Sequence, residues 1–301
     1  KTVMLESHAD EIGYAVKHIT KDGFLRLDRL GGSDAATARG RRLRIFGGKG
    51  EVPGVIGNTA IHLRRDVLNN EKAPKVHELW VDVGASTREE VEKLGIRVGH
   101  PAVYADTPME LNKSLLVSRA IDNRIGGFII AQALKKIQAA KTSPAFGVIC
   151  LNAVQEEIGG NGARMATQRL QPDACLCLDV THATDTPGLD AAQTGEVKLG
   201  KGPTVTHGAA NHPLVVERLE AVAKKARIPI QHEAAGRFTG TDTDSIFTVG
   251  PGVPSALVSL PLRSMHSVVE TAHLGDVEAC IDLMAGFVLS LSLKHRFYHK
   301  L

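Results

Sequence analysis

The sequence lacks a long apolar run and a marked excess of charge of one sign. Its apolar runs are far shorter than the roughly 20 residues that a membrane-spanning helix needs, so no membrane partner is expected. The net charge is only +3, with lysines and arginines scattered along the chain. Nothing in this charge pattern favours a nucleic acid as a partner. No secretory signal is recognisable at the first residues, and we therefore expect a cytoplasmic protein.

Cysteines are also few, and none of their spacings indicates a disulfide framework. The four are Cys150, Cys175, Cys177 and Cys280, and all lie in apolar stretches. Cys175 and Cys177 alternate within ACLCLDV, so both point to one face of a predicted strand. They could be a metal-binding pair, but a Cys-x-Cys pair without a second pair is a weak zinc signal. We expect reduced cysteines in the core of a cytosolic protein.

Two kinds of sequence pattern divide the chain. From about Gly13 to Tyr104, short alternating segments are separated by turn residues, as in GYAVKHIT-KDG-FLRLDRL-GG. This pattern indicates a small β-barrel or sandwich. One helix, STREEVEKLGI, interrupts it, and Thr87 and Glu90 have the spacing of a capping box. From Asp122 onward apolar strands alternate with helices, which is typical of an α/β domain.

The order of the two patterns predicts a domain inserted into another. The first strand, TVMLESH, has the apolar character of the second pattern. We therefore predict an α/β domain of residues 1–12 and 105–301, with a β-rich domain of residues 13–104 inserted into it. The α/β domain should contain a mixed, mostly parallel sheet covered by helices on both faces, because its strands read as continuous apolar runs.

Histidines and carboxylates stand at the ends of several predicted strands. They are His8, Asp10, Asp122, Glu156, Glu157, Asp179 and His266. The carboxyl ends of strands in an open α/β sheet converge on one crevice, so these groups could share it. The GGNG that follows Glu157 lacks the lysine of a P-loop, and its glycines are expected to let the backbone turn tightly. Asp242 is expected to begin a helix near the site.

A shared crevice of this kind predicts a metal site. Clustered carboxylates repel one another and resist ionisation unless a cation compensates them. Two histidines with three or four carboxylates suit zinc, cobalt or manganese, and a carboxylate can bridge two ions. Each residue also has another interpretation: Asp122 could cap the helix that follows, and Asp179 could begin a turn. The prediction of a metal site therefore rests on the shared placement of these residues at strand ends.

Six motifs make the sequence recognisable. In order they are SHADEIG, AIDNR, QEEIGGNGA, LDVTHATDTPG, GTDTD and PLRSMHSVVE. They closely resemble the motifs of the tetrahedral (TET-type) metallo-aminopeptidases, a family of dinuclear-metal peptidases that build dodecameric particles. The resemblance runs from Val3 to the final helix. It implies a catalytic α/β domain with an inserted dimerisation domain, short peptides as substrates and self-association into dimers and a dodecamer.

The resemblance also implies a metal-ligand set. Two divalent ions per subunit are expected, with zinc or cobalt as the first candidates and manganese as a third. Asp122 would bridge the two ions. His8 and Asp179 would complete the coordination of one ion, and Glu157 and His266 that of the other.

Two further residues receive catalytic roles from the resemblance. Glu156 would be the general base that takes a proton from the attacking water. Asp10 would hydrogen-bond the ring of His8 and so fix its tautomer and orientation.

The sequence departs from the family pattern in two places. The family has a further segment before the His-x-Asp strand, which suggests that this sequence is a fragment of a longer chain. Ser264 stands where the family commonly has a tyrosine. Packing beside the substrate, and therefore specificity, is expected to differ from that of relatives.

Other functions compete with removal of N-terminal residues. A related carboxypeptidase or deacylase would use the same metals on another amide bond. An inactive, metal-stabilised assembly subunit is a non-enzymatic alternative, although all the expected ligands and the expected base are present. A cellulase would need a carboxylate pair acting on a glycosidic bond, which a metal cluster disfavours.

Overall fold

The computed structural model describes residues 1–64 and 72–298. The elements up to the end of the barrel segment are β1 (Thr2–His8), β2 (Gly13–Ile19), β3 (Leu25–Leu30), α1 (Ala35–Ala38), β4 (Arg42–Gly47), β5 (Gly50–Ile56), β6 (Trp80–Asp82), α2 (Arg88–Lys93) and β7 (Pro101–Tyr104). The later elements are β8 (Met109–Asn112), β9 (Leu115–Ser118), α3 (Ile121–Gln138), β10 (Gly147–Ala153), α4 (Asn161–Leu170), β11 (Ala174–His182), α5 (Ala191–Thr194), β12 (Thr204–His207), α6 (Pro213–Ala226), β13 (Gln231–Ala234), α7 (Asp242–Ile246), β14 (Ser255–Leu262), β15 (Glu270–His273) and α8 (Leu274–Ser290).

The chain divides into two compact units. The first consists of Lys1–Glu11, Pro108–Met265 and Val269–Leu301. The second consists of Ile12–Thr107 together with the short segment His266–Val268. Among the described residues, no helix combines the length and the apolar character needed to cross a membrane.

The main sheet of the first unit is mixed and mostly parallel. Its strand order is β10-β1-β11-β14-β12-β13. Strands β12 and β14 pair antiparallel, and the other four pairs of neighbouring strands are parallel. A separate antiparallel sheet has the order β15-β9-β8. The predicted fold class is therefore confirmed.

Helices cover both faces of the main sheet, and the alternation of residues in β1 shows why. Val3 and Leu5 pack into a core that includes Ile129 of α3 and residues of α6 and α8. Met4 lies in a second core with Ile246 of α7. Successive side chains of a strand point to opposite faces, so a strand buried on both sides must be apolar at every position. Each fully buried aliphatic side chain stabilises the folded state by about 1.5–3 kcal/mol relative to an exposed one.

The second unit contains the predicted inserted β-rich structure, which is a closed antiparallel barrel. Its strand order is β2-β3-β6-β5-β4-β7. Alternate residues such as Leu25 and Leu27 of β3 fill the interior, as a half-buried strand requires. The buried hydroxyls of Tyr14 and Tyr104 lie 2.8 Å apart and share a hydrogen bond, so neither polar group is left unpaired in the barrel core.

The predicted capping box of α2 is only half present. The Thr87 hydroxyl accepts a hydrogen bond from the Glu90 backbone N–H, as expected for an N-cap. The Glu90 carboxylate, however, accepts from the backbone N–H of Ser86 rather than from that of Thr87. Thr87 is therefore the N-cap that the spacing predicts, and only the hydrogen bond to the Glu90 carboxylate comes from one residue further upstream.

Strand β10 also differs from its prediction. It lies at an edge of the main sheet and carries exposed as well as half-buried side chains, although its sequence reads as a fully buried strand. Cys150 on this strand is exposed, whereas the other three cysteines are buried as expected. The strand ends at Ala153, so Glu156 and Glu157 lie in the following turn and not on the strand itself.

Candidate metal centre

Two neighbouring parallel strands bring a histidine and a carboxylate together. Glu6 of β1 is opposite Cys177 of β11, so two residues further along each strand His8 comes beside Asp179. Both side chains leave the same face, because each lies an even number of residues beyond the paired positions. The pair stands toward the carboxyl end of β1, where ligand sites of open α/β sheets form.

Asp122 at the start of α3 joins this pair. The Nε2 atom of His8 lies 3.3 Å from Oδ1 of Asp122 and 3.6 Å from Oδ1 of Asp179. All three residues are buried, with at most 6% of their surface exposed. They form a group in which one atom from each lies within 4.8 Å of the others. Buried charges of this kind require a partner, and a cation between them would provide one.

The ring of His8 is held in one orientation from its other side. Its Nδ1 atom lies 3.2 Å from the backbone carbonyl oxygen of Asp10 and 3.5 Å from the Asp10 carboxylate. An Nδ1–H that donates to this carbonyl leaves the Nε2 lone pair facing Asp122 and Asp179. Nδ1 thus faces both the carbonyl and the carboxylate of Asp10, and the expected hydrogen bond from the ring to the Asp10 side chain stays a prediction.

The Asp10 carboxylate instead fixes the turn that carries the adjacent glutamates. It accepts hydrogen bonds from the backbone N–H groups of Glu156 at 3.2 Å and Glu157 at 3.3 Å. Oε2 of Glu156 lies 3.8 Å from Nε2 of His8. Asp10 therefore links the strand that ends at His8 to the turn that carries Glu156 and Glu157.

Asn123 positions Asp179 and was not identified as a site residue from the sequence. Its side-chain N–H groups donate to Oδ1 of Asp179 at 3.1 Å and to the carbonyl of Leu178 at 2.9 Å. Its own Oδ1 accepts from the backbone N–H of Gly126 at 3.1 Å. Asp122 and Asn123 have non-helical backbone angles, so the regular part of α3 begins after them. An asparagine directly after a candidate ligand was the available signal.

Glu270 is a second residue that sequence reasoning missed. It is buried in β15, and its Oε2 accepts a hydrogen bond from the backbone N–H of Asp122 at 3.1 Å. This contact ties the start of α3 to the small antiparallel sheet. No sequence pattern links the two residues, because they are 148 positions apart.

The pKa values of the group reflect an excess of buried carboxylates. Burial and repulsion from Asp179 raise the pKa of Glu156 to about 9. Burial likewise raises the pKa of Asp179, in spite of the attraction of His8. Burial alone would lower the pKa of His8, but the surrounding carboxylates outweigh it and raise the value.

Two further buried carboxyl groups, those of Glu6 and Asp242, lie near His8 and Asp179. Glu6 is buried two residues before His8, and burial raises its pKa well above the usual value. The nearby carboxylate of Asp242 adds to this rise, and the pKa of Asp242 is itself raised by burial to about 6. Asp242 begins α7, as the sequence predicts. Glu6 was not among the candidate residues, although its spacing from His8 on one strand face was a visible signal.

Glu157 belongs to another set of candidate ligands. Asp122 and Glu157 both offer carboxylate oxygens as candidate ligand atoms. His266 falls in the segment His266–Val268, which groups with the barrel unit. Its role as a ligand remains a prediction.

The donor set fits a divalent transition metal. The buried group offers one imidazole nitrogen and carboxylate oxygens, without a thiolate. Zinc, cobalt and manganese accept such mixed nitrogen and oxygen ligands, and a site of this composition is typical of catalytic rather than structural zinc. The residues present therefore fit the cofactor that the resemblance implies, although they do not distinguish among these metals.

The inserted barrel and the buried group of histidine and carboxylates at the strand ends define a metallopeptidase-like α/β protein. Residues 1–283 match the family of M42 glutamyl aminopeptidases, and the chain belongs to this family of metallopeptidases. The sequence is 35% identical over 283 residues to a lysyl aminopeptidase of Pyrococcus furiosus, covering 93% of this chain and 79% of the relative. The resemblance stated from the six motifs is thus confirmed.

Comparison with solved structures agrees with this family membership. An aminopeptidase from the archaeon Desulfurococcus kamchatkensis is 35% identical, with a TM-score of 0.89 over 97% of this chain and 80% of that one. The TET1 peptidase of Pyrococcus horikoshii, described as assembling into a tetrahedron or a large octahedral shell, is 29% identical with a TM-score of 0.84. That match covers 96% of this chain and 84% of the other. The chain is accordingly a member of a peptidase family whose relatives are named aminopeptidases.

Proposed function

We propose that the chain is a dinuclear metal-dependent aminopeptidase that removes N-terminal residues from short peptides. The observation that carries the proposal is the buried group of His8, Asp122 and Asp179, whose candidate ligand atoms face one another. The family membership and the names of the relatives agree with it.

In the proposed arrangement, Asp122 would be a ligand of both ions. His8 and Asp179 would complete one set of ligands, and Glu157 and His266 would complete the other. When bound, the ions would polarise the scissile carbonyl and make a water molecule more acidic. Their charge would also compensate the repulsion among the buried carboxylates.

Glu156 is the proposed general base. Its carboxylate would accept the proton of the attacking water and return it to the leaving amine, which is the usual cycle of a general acid–base group. Its high pKa, about 9, would keep it protonated at neutral pH. A neighbouring cation lowers the pKa of a carboxyl group, so the proposal requires loaded ions for Glu156 to act as a base.

Asp10 and Asn123 serve as positioning residues. Asp10 holds the backbone of both adjacent glutamates, and Asn123 holds Oδ1 of Asp179. Groups that orient metal ligands in this way commonly change metal affinity or activity by about 10–100-fold when they are lost.

A panel of peptides tests the proposed activity. Short peptides with both ends free, with the amino end blocked or with the carboxyl end blocked are incubated with protein loaded with zinc, cobalt or manganese. We expect release of N-terminal residues only from peptides with a free amine, and no release by the Asp122→Asn variant. Cleavage of amino-blocked peptides would favour a carboxypeptidase or deacylase. A fully metal-loaded protein that cleaves none of them would favour an inactive assembly subunit.

We also propose that the chain self-associates, through dimers to a dodecamer, and that the barrel serves as a dimerisation domain. The assembly described for the Pyrococcus horikoshii relative supports this proposal. Light scattering coupled to gel filtration tests it. A mass near twelve subunits is expected, whereas a monomer at micromolar concentration would contradict it.

A further inference from the structure

A second cluster of potential metal ligands lies on other elements of the first unit. Strands β12 and β13 are parallel neighbours in which Val205 is opposite His232. His207 lies two residues beyond Val205, so His207 and His232 stand on the same face of the sheet. Helix α6 packs against β12 and carries Glu220. The cluster shares no residue with the buried candidate centre.

The potential ligand atoms of the three side chains lie close to one another. Nε2 of His207 lies 3.0 Å from Nδ1 of His232. Oε1 of Glu220 lies 3.5 Å from the first nitrogen and 3.7 Å from the second. Three atoms with these separations have a common point about 2.0 Å from each, which is the length of a bond from zinc to nitrogen or oxygen, about 2.0–2.2 Å. The atoms therefore need little movement to coordinate one ion.

The strand that carries His232 is fixed on both sides of this residue. Glu233 accepts hydrogen bonds from the hydroxyls of Thr181 at 2.6 Å and Thr204 at 2.9 Å. Gln231 donates to the carbonyls of Lys198 at 3.0 Å and Gly202 at 2.8 Å. Because both neighbours of His232 are anchored, its backbone is preorganised for coordination.

Helix α6 is anchored as well. Leu219 and Val222, on either side of Glu220, are buried in the main core. The side chains of the cluster itself are accessible, with exposed fractions of 45% for His207, 55% for His232 and 37% for Glu220. A cation can therefore reach them from solvent, and a water molecule can occupy a fourth position.

We propose that His207, Glu220 and His232 form a third binding site for a divalent transition metal, separate from the proposed catalytic centre. Two imidazole nitrogens with one carboxylate suit zinc, cobalt, nickel or copper better than the hard cations magnesium and calcium. A bound ion would connect β12, β13 and α6 and so stabilise this end of the main sheet. The site requires no peptidase activity, so it does not depend on the proposed function.

Metal stoichiometry tests the site directly. Zinc is titrated into the metal-free full chain, and bound zinc is counted after gel filtration. We expect His232→Ala to bind one equivalent of zinc fewer per chain than the wild type, and Glu220→Gln to bind that equivalent at least tenfold more weakly. Glu217→Gln, one turn earlier on the same helix, and His18→Ala, on the barrel strand β2, are matched controls that should bind like the wild type.

A second set of measurements distinguishes loss of the metal site from misfolding of the variants. The melting temperature of the variants without zinc should equal that of the wild type, and peptide cleavage by the loaded variants should be unchanged. Adding zinc should raise the melting temperature of His232→Ala less than that of the wild type. Equal zinc stoichiometry in wild type and His232→Ala, or unchanged zinc affinity in Glu220→Gln, would overturn the proposal and leave only a hydrogen-bonded histidine pair beside a glutamate.

Discussion

Glu156 and Glu157 are adjacent in the chain and yet have different surroundings. Glu156 approaches Nε2 of His8, and burial beside Asp179 raises its pKa to about 9. Glu157 is instead grouped with Asp122 among the candidate ligands. One turn thus presents two carboxylates to different partners. This difference is the physical basis for assigning the base to Glu156 and a ligand role to Glu157.

The first prediction at the residue scale concerns Asp10. Asp10→Asn replaces the carboxylate that accepts hydrogen bonds from the backbone N–H groups of Glu156 and Glu157. It also places a neutral amide near the ring of His8. We expect metal affinity or kcat/KM to fall by about 10–100-fold. Metal titration and peptide hydrolysis measure the two effects. Asp28→Asn, which changes a surface carboxylate paired with Lys17, is the matched control and should behave like the wild type.

The sequence predicted some residues of the candidate site better than others. The position of His8 at the end of β1 is visible in the pattern, because an apolar run that stops at a polar residue marks the end of a strand. Asp179, which was expected at a strand end, instead lies within β11, because this strand continues to His182. Glu270 was missed because its contact depends on how distant segments pack, and no local pattern records this packing. Asn123 and Glu6 had local signals, namely a position directly after Asp122 and a position two residues before His8, but these signals do not reveal which groups the side chains contact.

At the scale of secondary structure, the glycine turn after the glutamates determines where they lie. Gly162 near the start of α4 donates its N–H to the carbonyl of Val154 at 3.0 Å. A Cβ atom at Gly162 would lie 2.1 Å from that carbonyl oxygen, which is far inside contact distance. The close approach of these two backbone segments therefore requires glycine, and it closes the turn that carries Glu156 and Glu157.

The prediction at this scale is made for Gly162→Ala. The methyl group must displace Val154 and the turn, which should cost about 1–3 kcal/mol of unfolding free energy, as overpacking does in other proteins. Peptide hydrolysis should fall more than stability alone explains, because the base is displaced. Urea denaturation and kinetics measure the two effects. Arg164→Ala, on the exposed side of the same helix, should leave both unchanged.

The sequence predicted the order and type of most elements, but not every environment. Continuous apolar runs correctly indicated β11 and β14, which are buried on both faces. The similar run in β10 lies at a sheet edge, where most of its side chains are exposed or half-buried. An apolar run reports which side chains a strand carries and not which neighbours cover it, so this error could not have been avoided from the pattern alone.

At the scale of the whole molecule, metal binding and folding should be coupled. Carboxylates and a histidine buried together favour the folded state only when their charges are compensated. An ion that binds the folded chain and not the unfolded chain stabilises it by mass action. The same coupling applies to the proposed dinuclear centre and to the proposed surface site, but the buried centre should respond more strongly.

Metal removal gives the prediction at this scale. Treatment with a chelator should abolish peptide hydrolysis and lower the melting temperature, and zinc or cobalt should restore both. An ion at 100 times its dissociation constant stabilises by about 2.7 kcal/mol. Calorimetry with and without metal measures this effect. The Asp122→Asn variant should lose most of the metal-dependent shift, and a chelated wild type with unchanged activity would exclude a metal centre.

Paired replacement of the adjacent glutamates tests the central assignment most directly. Metal content and hydrolysis of a free-amine peptide are measured for Glu156→Gln and Glu157→Gln under identical loading. Glu156→Gln should keep nearly normal metal content and lose at least about 100-fold in kcat, because a general base contributes about 10²–10⁴-fold. Glu157→Gln should lose metal together with activity. Full activity of metal-loaded Glu156→Gln would contradict the assignment of the base.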